Sequence, residues 1–301
     1  MDPLSTVIDT FPAFLAYWAE SERKPLEEQI ESWATVYMSQ WPELLRLQIE
    51  DYATQNLDWR QVARTKVFPF LAELMPAMQA AHENLQGNCN PILDKAWELL
   101  GFDKAMTFVI YVGIGCGAGW ATTLGDSPAV LFGLENIAEC GWSDPEAIMG
   151  LIAHELGHLA HYSWRARSEK TIGSGPCWQL YEEGFAQTCE SRVLETEIVH
   201  QVNSSQAVDW LAWCQSHSAW LAAEFLRTVD AGSPVSAFFG SWFEISGRSE
   251  TGYFLGQEVV KELEKQMSLK DIALLEPVET AVRPILERMG GKEREKEKGK
   301  D

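Results

Sequence analysis

The chain has 301 residues, 46% of them hydrophobic, and its formal net charge of −20 makes it strongly acidic. An acidic surface disfavours binding to nucleic acids and to anionic membrane surfaces, because both of these partners are negatively charged. The length allows one large domain or two.

The first hundred residues carry aromatic and aliphatic side chains at helical spacing. Phe11, Phe14, Leu15 and Trp18 form the first such stripe. Stripes of this kind usually pack into a core. We therefore predict a helical N-terminal region over residues 1–103 that packs on, or caps, a second domain.

A small β-sheet is predicted after this region. The apolar run at residues 106–112 is typical of a buried strand, and two shorter strands are predicted at residues 120–124 and 129–134. Four glycines alternate with other residues in between: Gly113, Gly115, Gly117 and Gly119. Such glycines allow another backbone to approach closely, or they form a bulge. The run lacks the G-K-[ST] ending of a phosphate-binding loop.

The following segment contains an H-E-x-x-H motif, formed by His154, Glu155 and His158, inside a predicted helix that Ser143 caps. Residues at positions i and i+4 lie on one helix face, so both imidazoles can bind one tetrahedral zinc ion. Glu155 can then act as general base toward the attacking water. The competing interpretation is a chance match, with two ordinary histidines on a solvated helix face. The apolar residues around the motif favour a buried helix instead.

His161 is a third histidine close to the motif, but it is a poor candidate for the third ligand. At a rise of about 1.5 Å per residue, His154 and His161 lie roughly 10 Å apart along the helix axis. Zinc–nitrogen bonds of about 2 Å cannot span that distance while His158 is also bound. We expect His161 to lie near the metal or at the surface without binding it.

The segment Glu-Glu-Gly-Phe-Ala at residues 182–186 follows in a second predicted helix. Together with H-E-x-x-H it resembles the gluzincin metallopeptidases, in particular the M1-type aminopeptidases. In those enzymes the glutamate of an N-E-G-F-A-like segment is the third zinc ligand. The resemblance implies this role for Glu183, and Glu190 matches an acidic residue seven positions later. Glu182 replaces the usual Asn and is the competing ligand; alternatively, all these glutamates face solvent.

A tyrosine is the candidate for oxyanion stabilisation. Residues 251–256, Thr-Gly-Tyr-Phe-Leu-Gly, precede a predicted helix that begins near Gln257. Their G-Y-x-x-G pattern resembles a segment of a bacterial family of predicted zinc-dependent proteases within the gluzincins. The resemblance implies that Tyr253 donates a hydrogen bond to the tetrahedral intermediate. The alternative is a core aromatic residue beside a helix start.

The region around the glycine run provides candidates for substrate binding. Gluzincins have a small sheet whose edge strand pairs with extended peptide substrate, and residues 106–134 are similar to this plan. Gly117 and Gly119 are therefore candidates for contact with the substrate backbone. Residues 134–136, Leu-Glu-Asn, partly resemble the G-x-M-E-N segment of M1 aminopeptidases, whose glutamate binds the free amino group of the substrate. This implies the same role for Glu135; the alternative is a solvent-facing glutamate at a strand end.

The whole sequence predicts an α+β protein that is mainly helical. Residues 104–289 would form a zincin-like catalytic domain with a small mixed sheet, and residues 290–301 a disordered charged tail. We expect a zinc-dependent peptidase, of which an aminopeptidase is one form. It would bind one Zn²⁺ per chain and act on a peptide or small protein as substrate. Two alternatives remain open: a non-catalytic peptide-binding protein that retains the fold, and a zinc hydrolase of a non-peptide amide.

The sequence also predicts a location for the protein. No apolar run reaches the ~20 residues of a membrane span, and no signal peptide follows Met1. The six cysteines show no C-x-x-C spacing. We therefore expect a cytoplasmic protein with reduced thiols and no membrane partner.

Overall fold

The computed structural model describes residues 4–197, 199–201, 207–240 and 243–298. This part of the chain is mainly helical and contains one four-stranded mixed sheet, which confirms the predicted α+β class. The chain divides into two compact units, Met1–Lys95 with Asp103–Glu155 and Ala96–Phe102 with Leu156–Asp301. No described helix is both long enough and apolar enough to cross a bilayer.

The first unit contains the sheet and the helices that precede it. Its helices are α1 (Phe11–Ser21), α2 (Leu26–Ser32), α3 (Pro42–Thr54), α4 (Trp59–Val62), α5 (Leu71–Leu99, whose last turn belongs to the second unit) and α6 (Leu134–Glu139). Two π-helical turns, Trp33–Tyr37 and Ala63–Val67, are each followed by a 3₁₀ turn, Met38–Gln40 and Phe68–Phe70. The strands are β1 (Ser5–Asp9), β2 (Met106–Tyr111), β3 (Gly119–Leu124) and β4 (Ser127–Gly133).

The sheet has the strand order β1-β2-β4-β3. Strands β1 and β4 both pair with β2 in parallel, whereas β3 and β4 form an antiparallel hairpin. Strands β2, β3 and β4 confirm the three predicted strands. Strand β1 is new, and the prediction of helix throughout the first hundred residues is wrong there. Its burial shows no regular alternation, and Val7 is 38% exposed.

Three aromatic side chains from the N-terminal helices hold the backbone that leaves β2. Trp33 Nε1 donates to the carbonyl of Val112 over 3.0 Å, and the amide of Val112 donates to the Tyr37 hydroxyl over 3.1 Å. The Tyr52 hydroxyl donates to the carbonyl of Ile114 over 2.8 Å. Packing therefore groups these helices with the sheet, and the predicted division into domains at residue 103 remains a prediction.

The described part of the second unit contains helices, loops and one isolated β-bridge between Ile245 and Arg248. It contains α7 (Pro145–Arg167, whose first half belongs to the first unit), α8 (Pro176–Leu194), α9 (Ala207–Ser216), α10 (Ser218–Asp230), a 3₁₀ turn (Ser236–Phe238), α11 (Thr251–Glu264), α12 (Leu269–Ala273) and α13 (Val278–Lys298). Helix α8 packs against α11, and α10 packs against α13. The disordered tail was predicted from residue 290, but α13 continues to Lys298; residues 299–301 lie outside the described part.

Candidate metal centre and active site

The H-E-x-x-H motif lies in the middle of α7. The helix is capped by Asp144, whose Oδ1 accepts a 3.0 Å hydrogen bond from an amide in the first turn, and not by the predicted Ser143. His154, Glu155 and His158 are only 3%, 6% and 7% exposed. These three residues therefore do not lie on a solvated helix face. Buried polar side chains such as these require polar or metal partners.

Small residues bring α8 close to this part of α7. A Cβ atom on Gly157 would lie 2.8 Å from Cβ of Cys189 and 2.9 Å from Cα of Ala186. Real Cβ atoms do not approach other atoms so closely, so only glycine fits at this position. The glycine within H-E-x-x-H thus permits the helix contact that brings His158 to α8.

A second glycine contact joins α8 to α11. A Cβ atom on Gly184 would lie 2.1 Å from the carbonyl carbon of Gly256. Gly184 directly follows the predicted ligand Glu183, and Gly256 ends the G-Y-x-x-G segment. Both predicted motifs therefore contain a glycine that the packing of these two helices requires.

The three predicted zinc ligands come together on α7 and α8. The imidazole Nε2 of His158 lies 3.4 Å from Oε2 of Glu183. One ligand atom from each of His154, His158 and Glu183 lies within 4.8 Å of the other two, so this buried group can hold a metal ion. Tetrahedral zinc with bonds of about 2.0–2.1 Å holds its ligand atoms about 3.3 Å apart. The 3.4 Å between His158 Nε2 and Glu183 Oε2 is close to this value.

The competing residues face elsewhere. Glu182 accepts a 3.0 Å hydrogen bond from Trp178 Nε1, and its other oxygen lies 3.9 Å from His161 Nδ1. His161 is fully buried, and its Nε2 lies 3.2 Å from the hydroxyl of Tyr181. Burial, followed by the charge of His158, lowers the pKa of His161 to about 3, so its ring is neutral. Neither Glu182 nor His161 belongs to a group of potential metal ligands among the described residues.

The proposed base lies against the first residue of the edge strand. A Cβ atom on Gly119 would lie 2.4 Å from Oε1 and 2.6 Å from Cγ of Glu155. Gly119 begins β3, which pairs only with β4 in the described sheet. The Glu155 carboxylate and the edge strand are therefore in direct contact, and a side chain at position 119 would displace the carboxylate.

Glu135 and its neighbour Asn136 organise the glycine run. Glu135 accepts hydrogen bonds from the amides of Gly113 and Gly115, at 2.7 and 3.1 Å, and Asn136 Oδ1 accepts one from Gly117 at 3.2 Å. Glu135 is 2% exposed, so it is not the solvent-facing glutamate of the alternative interpretation. Burial raises its pKa to about 7. These contacts fix the path of the backbone toward β3, and binding of a substrate amine by Glu135 remains a prediction.

Tyr253 lies within the first turn of α11. The helix begins at Thr251, six residues before the predicted start at Gln257. The tyrosine ring is half-buried and packs edge-to-face on Phe239, with ring centroids 5.7 Å apart. Its role as an oxyanion donor remains a prediction.

A second group of potential metal ligands shares one residue with the first. It consists of His154, Glu190 and His200. Glu190 is among the residues that the sequence predicts near the site, whereas His200 is not; it lies in a turn beyond the end of α8. Helical spacing links residues within one helix, so no sequence rule connects His200 to Glu190 across that turn.

Comparison with known proteins gives no match: no protein-family model, curated protein or solved structure matches this chain. The resemblance to gluzincins therefore rests on the motifs described above.

Proposed function

We propose that this protein is a zinc-dependent peptidase with a zincin-like catalytic centre. The observation that carries the proposal is the convergence of His154, His158 and Glu183 within 4.8 Å of one another. Glu155 adds a buried carboxylate on the same helix, next to the edge of the sheet. A buried polar cluster that only stabilises the fold does not require three metal-ligand side chains beside a fourth, buried carboxylate.

The donor set fits the ion. Two imidazoles and one carboxylate form a common ligand set of catalytic zinc sites, which keep the fourth position open. Bound zinc supplies Lewis acidity, which polarises the scissile carbonyl and lowers the pKa of water. Of the three ligands, Glu183 is the most accessible, with its side chain 20% exposed.

Two other residues of the site would act directly in the reaction: one would transfer the proton, and the other would stabilise the negative charge that develops on the carbonyl oxygen. Glu155 accepts a proton from the attacking water and passes it to the departing amine. Burial next to Gly119 leaves its carboxylate little freedom to move. Tyr253 donates a hydrogen bond to the oxyanion from the start of α11.

A peptide is the substrate that best suits the edge strand. Strand β3 pairs with β4 along one side only in the described sheet, so its other side can pair with an extended peptide. The contact between Gly119 and Glu155 would place such a peptide backbone beside the base. Binding of the free amino terminus by Glu135 would make the enzyme an aminopeptidase.

Metal analysis and substrate profiling together test this proposal. Purified protein should contain about one zinc ion per chain, and a His158→Ala, Glu183→Ala double variant should lose it. A library of peptides with free and acetylated N-termini should be cleaved by the wild type, and acetylation will separate aminopeptidase from endopeptidase activity. Stoichiometric zinc in the double variant would refute the metal centre. Peptide binding without cleavage would favour a binding protein, and cleavage of non-peptide amides alone would favour a different hydrolase.

A further inference from the structure

A buried carboxylate–histidine pair extends from the end of α8. Both oxygens of Glu190 accept hydrogen bonds from His200. Oε1 accepts from the backbone amide at 2.9 Å, and Oε2 accepts from the ring Nδ1 at 2.9 Å. Gln187 Nε2 also donates to Oε2 over 2.8 Å. The side chains of His200 and Glu190 are only 3% and 1% exposed.

This pair lies next to one of the proposed zinc ligands. A ligand atom of His154 lies within 4.8 Å of the corresponding atoms of Glu190 and His200. A metal-bound histidine usually donates its other ring N–H to a carboxylate, which fixes the orientation of the ring. Glu190 is the carboxylate near a ring nitrogen of His154, so it is the candidate acceptor, and it is itself held by His200.

Two metal ions, one in each group, would be a different explanation of the same residues. His154 would then bind both ions, and its ring would have to give up both N–H protons, whereas neutral imidazole keeps one. Three hydrogen bonds already occupy the Glu190 carboxylate. With a single ion, His154 keeps one N–H proton and the three hydrogen bonds of Glu190 stay in place.

We propose that His200 is a positioning residue of the metal centre, which orients His154 by holding the Glu190 carboxylate. The inference rests on the proposed zinc site and extends it by a residue outside H-E-x-x-H and outside the α8 motif. His200 touches neither the ion nor the substrate. Its contribution is to keep Glu190 in place, so that the ring of His154 is already oriented when zinc binds.

Zinc affinity is the direct measurement, made by titrating the apoprotein in competition with a chelator of known affinity. We expect His200→Ala to raise the zinc dissociation constant about 10- to 100-fold, the usual effect of removing such support. His200→Asn keeps an amide that can donate to Glu190 from nearly the position of Nδ1, and it should recover most of the affinity. If the alanine variant does not fold, His200→Gln takes its place in the titration. The glutamine amide lies one bond too far from the backbone to replace Nδ1.

His82→Ala is the matched control. Its Nε2 lies 2.9 Å from Asp9 Oδ2, so it also belongs to a carboxylate–histidine pair, but it is in neither metal group. This variant should bind zinc as the wild type does. A folded His200→Ala variant with wild-type affinity would overturn the positioning role alone. A wild type that binds no zinc would overturn the proposed function, whereas zinc binding without peptidase activity would leave the role of His200 intact.

Discussion

Gly256 of α11 lies against Gly184 of α8 so closely that a Cβ atom on Gly256 would be 2.9 Å from the Gly184 nitrogen. The same atom would lie 2.2 Å from the carbonyl oxygen of Leu180. Backbone cannot yield as a flexible side chain does, so any larger residue must push the helices apart. The contact lies beside Glu183, and it therefore fixes the position of a proposed zinc ligand.

Gly256→Ala should destabilise the protein by about 1–3 kcal/mol, the usual cost of overpacking a core. It should also weaken zinc binding, because α8 carries Glu183. Gly87→Ala is the control, since Gly87 lies in α5 with no atom within 4 Å of an added Cβ. That variant should be more stable by about 0.5–1 kcal/mol, from the better helix propensity of alanine. Chemical denaturation and zinc titration measure both effects, and equal behaviour of the two variants would contradict the packing argument.

Glu155→Gln should retain zinc and thermal stability but lose about 10²–10⁴-fold in rate, the usual effect of removing a general base. Glutamine has nearly the same shape as glutamate but cannot accept the proton. Steady-state kinetics on any peptide that the wild type cleaves will measure the loss. Hydrolysis at the wild-type rate would exclude Glu155 as the base.

Gly119→Ala should lower kcat while zinc content stays the same. The added methyl group would occupy the position of the Glu155 carboxylate, which is part of the chemistry but does not bind the ion. Gly87→Ala, which adds the same methyl group in α5 with no atom within 4 Å of it, is the control and should leave kcat unchanged. A Gly119→Ala variant with normal kcat would show that the carboxylate functions from another position.

Tyr253→Phe should reduce kcat by about 10²–10³-fold, the typical effect of losing one oxyanion donor. The ring and its edge-to-face contact with Phe239 remain, so stability, zinc content and KM should change little. A variant as fast as the wild type would assign Tyr253 to packing alone.

Glu135 should make stability depend on pH. Burial raises its pKa from the ordinary 4.5 to about 7, so the folded state binds the proton more tightly than the unfolded state does. This contribution to stability is fully present below the unfolded pKa and is lost as the pH rises through the folded pKa. At roughly 1.4 kcal/mol per pKa unit, the change is about 3 kcal/mol.

The measurement compares the unfolding free energy of wild type and Glu135→Gln between pH 5 and pH 8. The amide does not titrate, so the stability of the wild type should fall relative to the variant over this range. If the unfolding free energies of wild type and variant change with pH in the same way, Glu135 is ionised over the whole range.

The sequence predicts the parts of the site that depend on local geometry. Spacing within one helix places His154 and His158 on the same face, and the apolar run of β2 identifies a buried strand. Those properties follow from neighbours along the chain. The pairing of Glu183 with His158 required a family motif, because contact between two helices is a tertiary property.

Other features cannot be predicted from residues that are close together in the sequence. His200 meets Glu190 only because the chain turns back after α8. Strand β1 is five residues long, and its burial shows none of the alternation that identifies a half-buried strand. The glycines at positions 157, 184 and 256 lie inside helices, where glycine has a low helix propensity, and the close contacts between α7, α8 and α11 account for them.

The contact between Gly119 and Glu155 also bears on where a substrate would be cut. A peptide paired with β3 can slide only in steps of two residues if its side chains are to keep facing the same way. Since the proposed base, Glu155, lies beside the first residue of that strand, the register of the peptide would determine which bond reaches it. Preference for particular side chains should therefore recur at every second substrate position, whereas the positions in between tolerate almost any residue.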